Sequence, residues 1–204
     1  MNNNWSRVEI IVGPMFCGKS DMLIRRAKNA EIAKKQFIAF KPSSDTRFVK
    51  KDQIISRTGG KIPAQIINVS GIYQILDLSE KYDLVIIDEI HLWPMELINL
   101  VSKLLGRKKR ILLAGLDKNF RGEPFTISGI LMAMAAPEII YLKSICNVCK
   151  NEDAIWTQKL TAEGKPAPYD SPTIEVGGFE AGDRYEPRCT RCFVRPIKIV
   201  KFNN

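Results

Sequence analysis

Gly13-Pro14-Met15-Phe16-Cys17-Gly18-Lys19-Ser20 fits the phosphate-cradling pattern G-x-x-x-x-G-K-[ST] at every fixed position. The residues before it, 8–12, form the apolar run of a buried strand, and those from Asp21 onward have helical spacing. In that setting the loop amides converge at a helix N-terminus, where a phosphate is favoured. The Lys19 ammonium then reaches the outer phosphates of ATP, and the Ser20 hydroxyl binds Mg²⁺. Leu84-Val85-Ile86-Ile87-Asp88-Glu89 supplies the second half of such a site. An apolar strand ending in aspartate matches the Walker B arrangement, which puts Asp88 in the Mg²⁺ shell on a strand beside that of the loop. Glu89, one residue on, is placed to reach water or a substrate hydroxyl.

Two C-x-x-C pairs, Cys146/Cys149 and Cys189/Cys192, carry a different chemistry. Four thiolates at this spacing suit a tetrahedral Zn²⁺ whose role is structural, because no coordination position stays open. The site would close a long loop over residues 150–188. Cys17, the fifth cysteine, sits in the phosphate loop. A helix N-terminus and Lys19 beside it predict a lowered thiol pKa, with oxidation or alkylation there blocking phosphate binding. His91 is the single histidine, and its place after Glu89 puts it near the nucleotide.

The elements that must position these groups alternate. Strands are expected over 8–12, 37–40, 64–69, 84–87, 111–114 and 139–143, with helices over 19–35, 72–78, 95–105 (ended by Gly106) and 126–135. Residues 43–60 are polar and aperiodic, a candidate mobile loop with a short hairpin around Gly59-Gly60. Strands without internal alternation belong to a parallel sheet covered on both faces. The fold class is therefore α/β, a P-loop NTPase-type mainly parallel sheet flanked by helices. After residue 144 the long apolar runs stop and most cysteines appear. The expected division is an ATP-binding domain over 1–144 and a small zinc-binding domain over 145–204.

The chain has 204 residues, 45% hydrophobic and 26% charged, which suits a soluble globular protein with a real core. No apolar run approaches a membrane span, and the N-terminus lacks signal-peptide regions, so a cytoplasmic protein is expected. The net charge of +9 is spread over scattered basic clusters without aromatic interleaving. An anionic small molecule accounts for its sign as well as a nucleic-acid polymer would.

Together these blocks resemble the cytosolic, zinc-containing (type II) thymidine kinases. The phosphate loop is similar to that family's G-P-M-F-S-G-K-S. Asp45-Thr46-Arg47, Asp88-Glu89, Gly115-Leu116-Asp117, Phe120-Arg121-Gly122-Glu123-Pro124-Phe125, both cysteine pairs and Tyr185-Glu186-Pro187-Arg188-Cys189 agree in order. The resemblance spans residues 7–193. It implies ATP-dependent phosphorylation of the 5′-hydroxyl of thymidine, and of deoxyuridine. By resemblance Glu89 is the catalytic base, and Arg47 and Asp45 lie in a segment that closes over the reacting groups. Residues 13–20, Asp88 and His91 contact ATP and its Mg²⁺. Met15, Leu116, Phe120 and Phe125 line the base pocket. Thr157 matches a pocket threonine, and Val176, Gly177, Gly178 and Tyr185 belong to a zinc-tethered lasso that reads the pyrimidine edge. A homotetramer inhibited by the triphosphate end product is implied as well.

This chain departs from the family's D-E-x-Q-F-F in reading Asp88-Glu89-Ile90-His91-Leu92-Trp93, and its lasso is about three residues longer between Val176-Gly177 and Tyr185. Asp88-Glu89-Ile90-His91 also spells a DExH box, so the alternative is a nucleic-acid-stimulated ATPase. Such motors need a second ATPase-like domain, for which the chain has no room.

Overall fold

The computed structural model describes residues 7–45, 52–174 and 184–198. Along the chain lie β1 (Arg7–Val12), α1 (Lys19–Ile32), β2 (Phe37–Pro42), β3 (Gln53–Ile55), β4 (Lys61–Pro63), β5 (Gln65–Ile67), α2 (Gln74–Leu78), β6 (Leu84–Ile87), α3 (Glu96–Gly106), β7 (Arg110–Gly115), α4 (Thr126–Ala135), β8 (Ile139–Tyr141), β9 (Trp156–Leu160) and β10 (Arg184–Arg188). The main sheet runs β5-β2-β6-β7-β1-β8, and every pairing in it is parallel.

Strand side chains alternate between two covered faces, which is why the strands read as continuous apolar runs. Ile10, Phe40, Val85, Ile87, Ile111 and Leu113 pack under α2, α3 and α4. Ile11, Ala39, Ile86, Leu112 and Ala114 pack under α1 and the β3–β4 hairpin, against Leu23, Ile24, Ala27, Ile54 and Ile62. Each fully buried Leu or Ile contributes about 1.5–3 kcal/mol. Glu9 interrupts the apolar run of β1 and is 2% exposed. Arg26 of α1 and Arg110 of β7 pair with it at 2.7 and 3.2 Å, so the buried charge is neutralised.

Several expected boundaries shift. Helix α1 stops at Ile32 rather than at 35, and α3 includes Gly106 instead of ending before it. Both helices close through lysines. Lys34 and Lys108 take left-handed φ values of 56° and 58°. The following amides, Lys35 N and Lys109 N, donate back to Ala30 O and Leu104 O, the crossed bonds of a Schellman ending. Residues 69–71 form a 3₁₀ turn in place of the last part of the expected strand. Hairpin β3–β4 lies where Gly59-Gly60 marked it, with Gly59 at φ 90°.

Beyond β8 the chain builds an antiparallel pair, β9–β10, which the polar sequence did not reveal. Its strands begin and end next to the cysteine pairs.

Candidate active site

The phosphate loop leaves the C-terminal end of β1. Gly13 has φ 149°, and a Cβ there would stand 2.3 Å from the Leu142 carbonyl, so the position admits only glycine. Lys19 opens α1 yet is nearly buried. Its ammonium donates to Gly13 O and Pro14 O at 3.1 and 2.6 Å, which centres the charge inside the loop. The far side of the loop is braced by later chain: Met15 N donates to Thr157 Oγ1 at 3.0 Å, and Ser144 Oγ donates to Phe16 O at 3.1 Å.

Strand β6 delivers Asp88 and Glu89, both 4% exposed. It does not lie beside β1, as the sequence reading placed it, because β7 intervenes. The site assembles nonetheless, since parallel strands place all their C-terminal ends along one edge. Asp45 follows β2, Glu89 follows β6, Leu116 follows β7 and the phosphate loop follows β1. Glu89 takes a left-handed φ of 52° and starts a 3₁₀ turn over Ile90–Leu92. Asp88 Oδ1 accepts the Glu89 N–H at 2.9 Å, and Trp93 Nε1 donates to Asp88 O at 2.9 Å, so the turn is fixed at both ends. His91 Nδ1 accepts the Leu116 N–H at 3.2 Å and stands 3.5 Å from Glu89 Oε2. Its ring packs tilted on Phe125, 5.0 Å between centroids.

These groups line one cleft of about 420 Å³. The loop residues Met15 to Ser20, Asp45 and Glu89, and Leu116, Phe120, Phe125, Thr157 and Tyr185 all line it, with Thr157 touching the loop at Met15. Lys41 holds Asp45 in a buried ion pair of 2.8 Å. Asp88 is not among the lining residues and supports the turn from behind. Arg47, Val176, Gly177 and Gly178 lie outside the described residues. Sequence reasoning missed Arg57, whose guanidinium carbon sits 3.9 Å from the centroid of the Phe16 ring at the cleft. The hairpin turn beside Gly59 was its one visible signal. It also missed Thr173 and Ile174, which have no motif to mark them.

Cys17 corrects the expectation of an acidic thiol. Burial pushes its pKa above the ordinary value, and this outweighs the pull of the Lys19 charge in the opposite direction.

The four other cysteines converge. Their sulfurs all lie within 4.8 Å of one another, and Cys149 Sγ is 3.6 Å from Cys189 Sγ. A Zn²⁺ bound at about 2.3 Å to four sulfurs has S···S edges of about 3.8 Å, so the cluster has the size and the soft donors for that ion. Burial opposes ionisation of Cys146, but the amides of Cys149, Cys189 and Val148 overcome it and bring the thiol down to about 6. Burial first, then hydrogen bonds with the neighbouring thiols, push Cys192 up to about 12. A cation is what allows all four to ionise together.

A family model described as thymidine kinase matches residues 6–193. A curated thymidine kinase of Coprothermobacter proteolyticus is 44% identical over 182 residues, covering 89% of this chain and 87% of its own length.

Proposed function

The chain belongs to the thymidine kinase family, and from that premise we propose that its cleft phosphorylates the 5′-hydroxyl of thymidine, and of deoxyuridine, at the expense of ATP. The enzyme is a phosphotransferase. The observation that carries the reading is the shared cleft, lined together by the phosphate loop, the buried Glu89 carboxylate and the rings of Phe120, Phe125 and Tyr185.

The loop amides and Lys19 hold the triphosphate, with the ammonium already centred by Gly13 O and Pro14 O. Ser20, which lines the cleft, would offer Mg²⁺ a hard oxygen donor, and Asp88, next in the chain to Glu89 though not itself at the cleft surface, would add its negative charge; the ion would neutralise phosphate charge there. Phe120 and Phe125 contact the base, and Tyr185 and Thr157 approach it from β10 and β9. Glu89 accepts the proton of the 5′-hydroxyl as its oxygen bonds to the γ-phosphorus and the bond from that phosphorus to the β,γ-bridging oxygen breaks. ADP leaves with the electron pair of the broken bond. The left-handed turn at Glu89 fixes the carboxylate before substrate arrives, so no reorganisation is needed at the moment of transfer.

Zn²⁺ on Cys146, Cys149, Cys189 and Cys192 anchors the β9–β10 pair, and its role is structural. Residues 1–144 form the ATP-binding part and 145–204 the part that covers the nucleoside. Arg47 assists transfer, and Val176, Gly177 and Gly178 read the base. A homotetramer, feedback by the triphosphate end product and a cytoplasmic location complete the reading. No helix among the described residues is long and apolar enough to cross a membrane. Nothing in the site or the comparisons favours a DNA-stimulated ATPase.

The test is a panel of nucleosides with ATP and Mg²⁺, run on the wild type and on Glu89→Gln. Thymidine monophosphate is expected from the wild type. The variant should lose about 10²- to 10⁴-fold in kcat with ATP binding kept, the usual worth of a general base. ATP turnover raised by DNA and not by any nucleoside would contradict the assignment, and an active Glu89→Gln would remove Glu89 as the base.

A further inference from the structure

The turn at Phe120 and the segment leading to Thr173 and Ile174, all of which line the cleft, are joined by contacts that the phosphoryl-transfer chemistry does not use. The turn that carries Phe120 is braced from within. Asn119 Oδ1 accepts the N–H of Arg121 at 2.9 Å and of Glu123 at 3.1 Å, and Asn119 Nδ2 donates to Glu123 Oε2 at 3.1 Å. So held, the turn presents Arg121 and Glu123 to a segment some fifty residues later in the chain. Tyr169 Oη donates to Glu123 Oε1 at 2.5 Å, and Arg121 Nη2 donates to Ser171 O at 3.0 Å. The Arg121 guanidinium also lies over the Tyr169 ring at 4.5 Å. From Ser171 the chain runs directly into Thr173 and Ile174, which line the cleft as Phe120 does.

We infer that Arg121, Glu123 and Tyr169 form a clasp that sets the width of the nucleoside end of the cleft, and are therefore positioning residues for the nucleoside. The inference rests on the reading of that end as the nucleoside site. The short phenol–carboxylate bond is charge-assisted and directional. The same bond holds the Glu123 carboxyl below its ordinary range, with the Asn119 amide second. The Arg121 contact adds a cation on an aromatic face and a backbone anchor. None of the three side chains touches the phosphate loop or the Glu89 turn in the contacts above. Opening the clasp thus changes where the base wall stands and leaves the phosphate end as it was.

Steady-state kinetics with thymidine and ATP on Tyr169→Phe, Glu123→Ala and their double variant test this. Each single variant should raise the thymidine KM about 5- to 10-fold, the range of a charge-assisted hydrogen bond at a partly exposed site. The ATP KM and kcat should stay within about two-fold. The double variant should be no worse than the worse single one, because both remove the same bond. Glu123→Gln, which keeps an acceptor oxygen for Tyr169 but not the charge, should recover about half of the loss in binding free energy. An unchanged thymidine KM, an equal rise in ATP KM, additive effects or a Glu123→Gln as impaired as Glu123→Ala would each overturn the clasp. A wild-type protein that phosphorylates no nucleoside would overturn the nucleoside site and the clasp together, whereas an active wild type with unaffected variants sinks the clasp alone.

Discussion

Gly115 gives a direct measure of how tightly Glu89, the proposed base, is positioned. It is the last residue of β7 and pairs with Val12, the residue before the phosphate loop. A Cβ at Gly115 would lie 2.7 Å from Ile90 Cγ1, 2.8 Å from Ile90 N and 3.2 Å from His91 Nδ1. Ordinary contact begins at 3.4 Å, so Gly115→Ala must displace the Ile90 backbone by about 0.6 Å. Ile90 follows Glu89 directly, and the turn is fixed by the Asp88 bonds on either side, so the displacement passes to the carboxylate. A misplacement of about 1 Å costs about 10²-fold in rate, which scales to about 10- to 20-fold in kcat for this shift. Overpacking adds about 1–3 kcal/mol of destabilisation. Thymidine phosphorylation at saturating ATP, with a thermal melt on the same sample, reads both. The ATP KM should hold, because Lys19 and the loop amides do not face this contact. A folded Gly115→Ala with kcat within two-fold of the wild type would show that the turn yields without moving its carboxylate, and would refute the claim that Gly115 is small for the sake of the base.

Further outcomes follow from the cysteines. Metal analysis should find one zinc per chain, and its removal should raise the thymidine KM more than the ATP KM, because the cysteine pairs bracket the strands bearing Thr157 and Tyr185. An unchanged thymidine KM in zinc-free protein would count against that role. Zinc occupancy should fall on acidification, because protons compete with the metal for the four thiolates; an occupancy that does not change with acid would contradict the cluster. Cys17, its thiol pKa raised by burial, should alkylate more slowly than free cysteine near neutral pH and faster only as pH climbs beyond the ordinary cysteine range. Mass spectrometry of iodoacetamide-treated protein would reveal the opposite order if the Lys19 charge dominates.

What was legible in the sequence was local or periodic. The phosphate loop, the apolar strands, Glu89 following Asp88 and the paired cysteines are set by spacing within a few residues, and each is present in the fold, though strand ends and the neighbours of β6 differ from expectation. The helix endings were misread because a left-handed lysine closes the helix, a conformation that sequence assigns to glycine by default. The thiol of Cys17 was misread for a different reason. A nearby charge can be seen in sequence, whereas desolvation depends on everything packed around the group.

The chain alone therefore determined which groups are carried: a loop of phosphate-cradling pattern, a carboxylate pair at a strand end and four sulfurs spaced to suit a soft cation. Only the tertiary structure decided how these meet. Strand β7 separates β1 from β6, and the site forms because parallel strands end along one edge, not because the two motifs are neighbours. The pairing of Tyr169 with Glu123, the passage of Ile90 over Gly115 and the approach of Arg57 to Phe16 join residues remote in sequence. Such contacts follow from packing geometry in three dimensions, which no local pattern of residue types encodes.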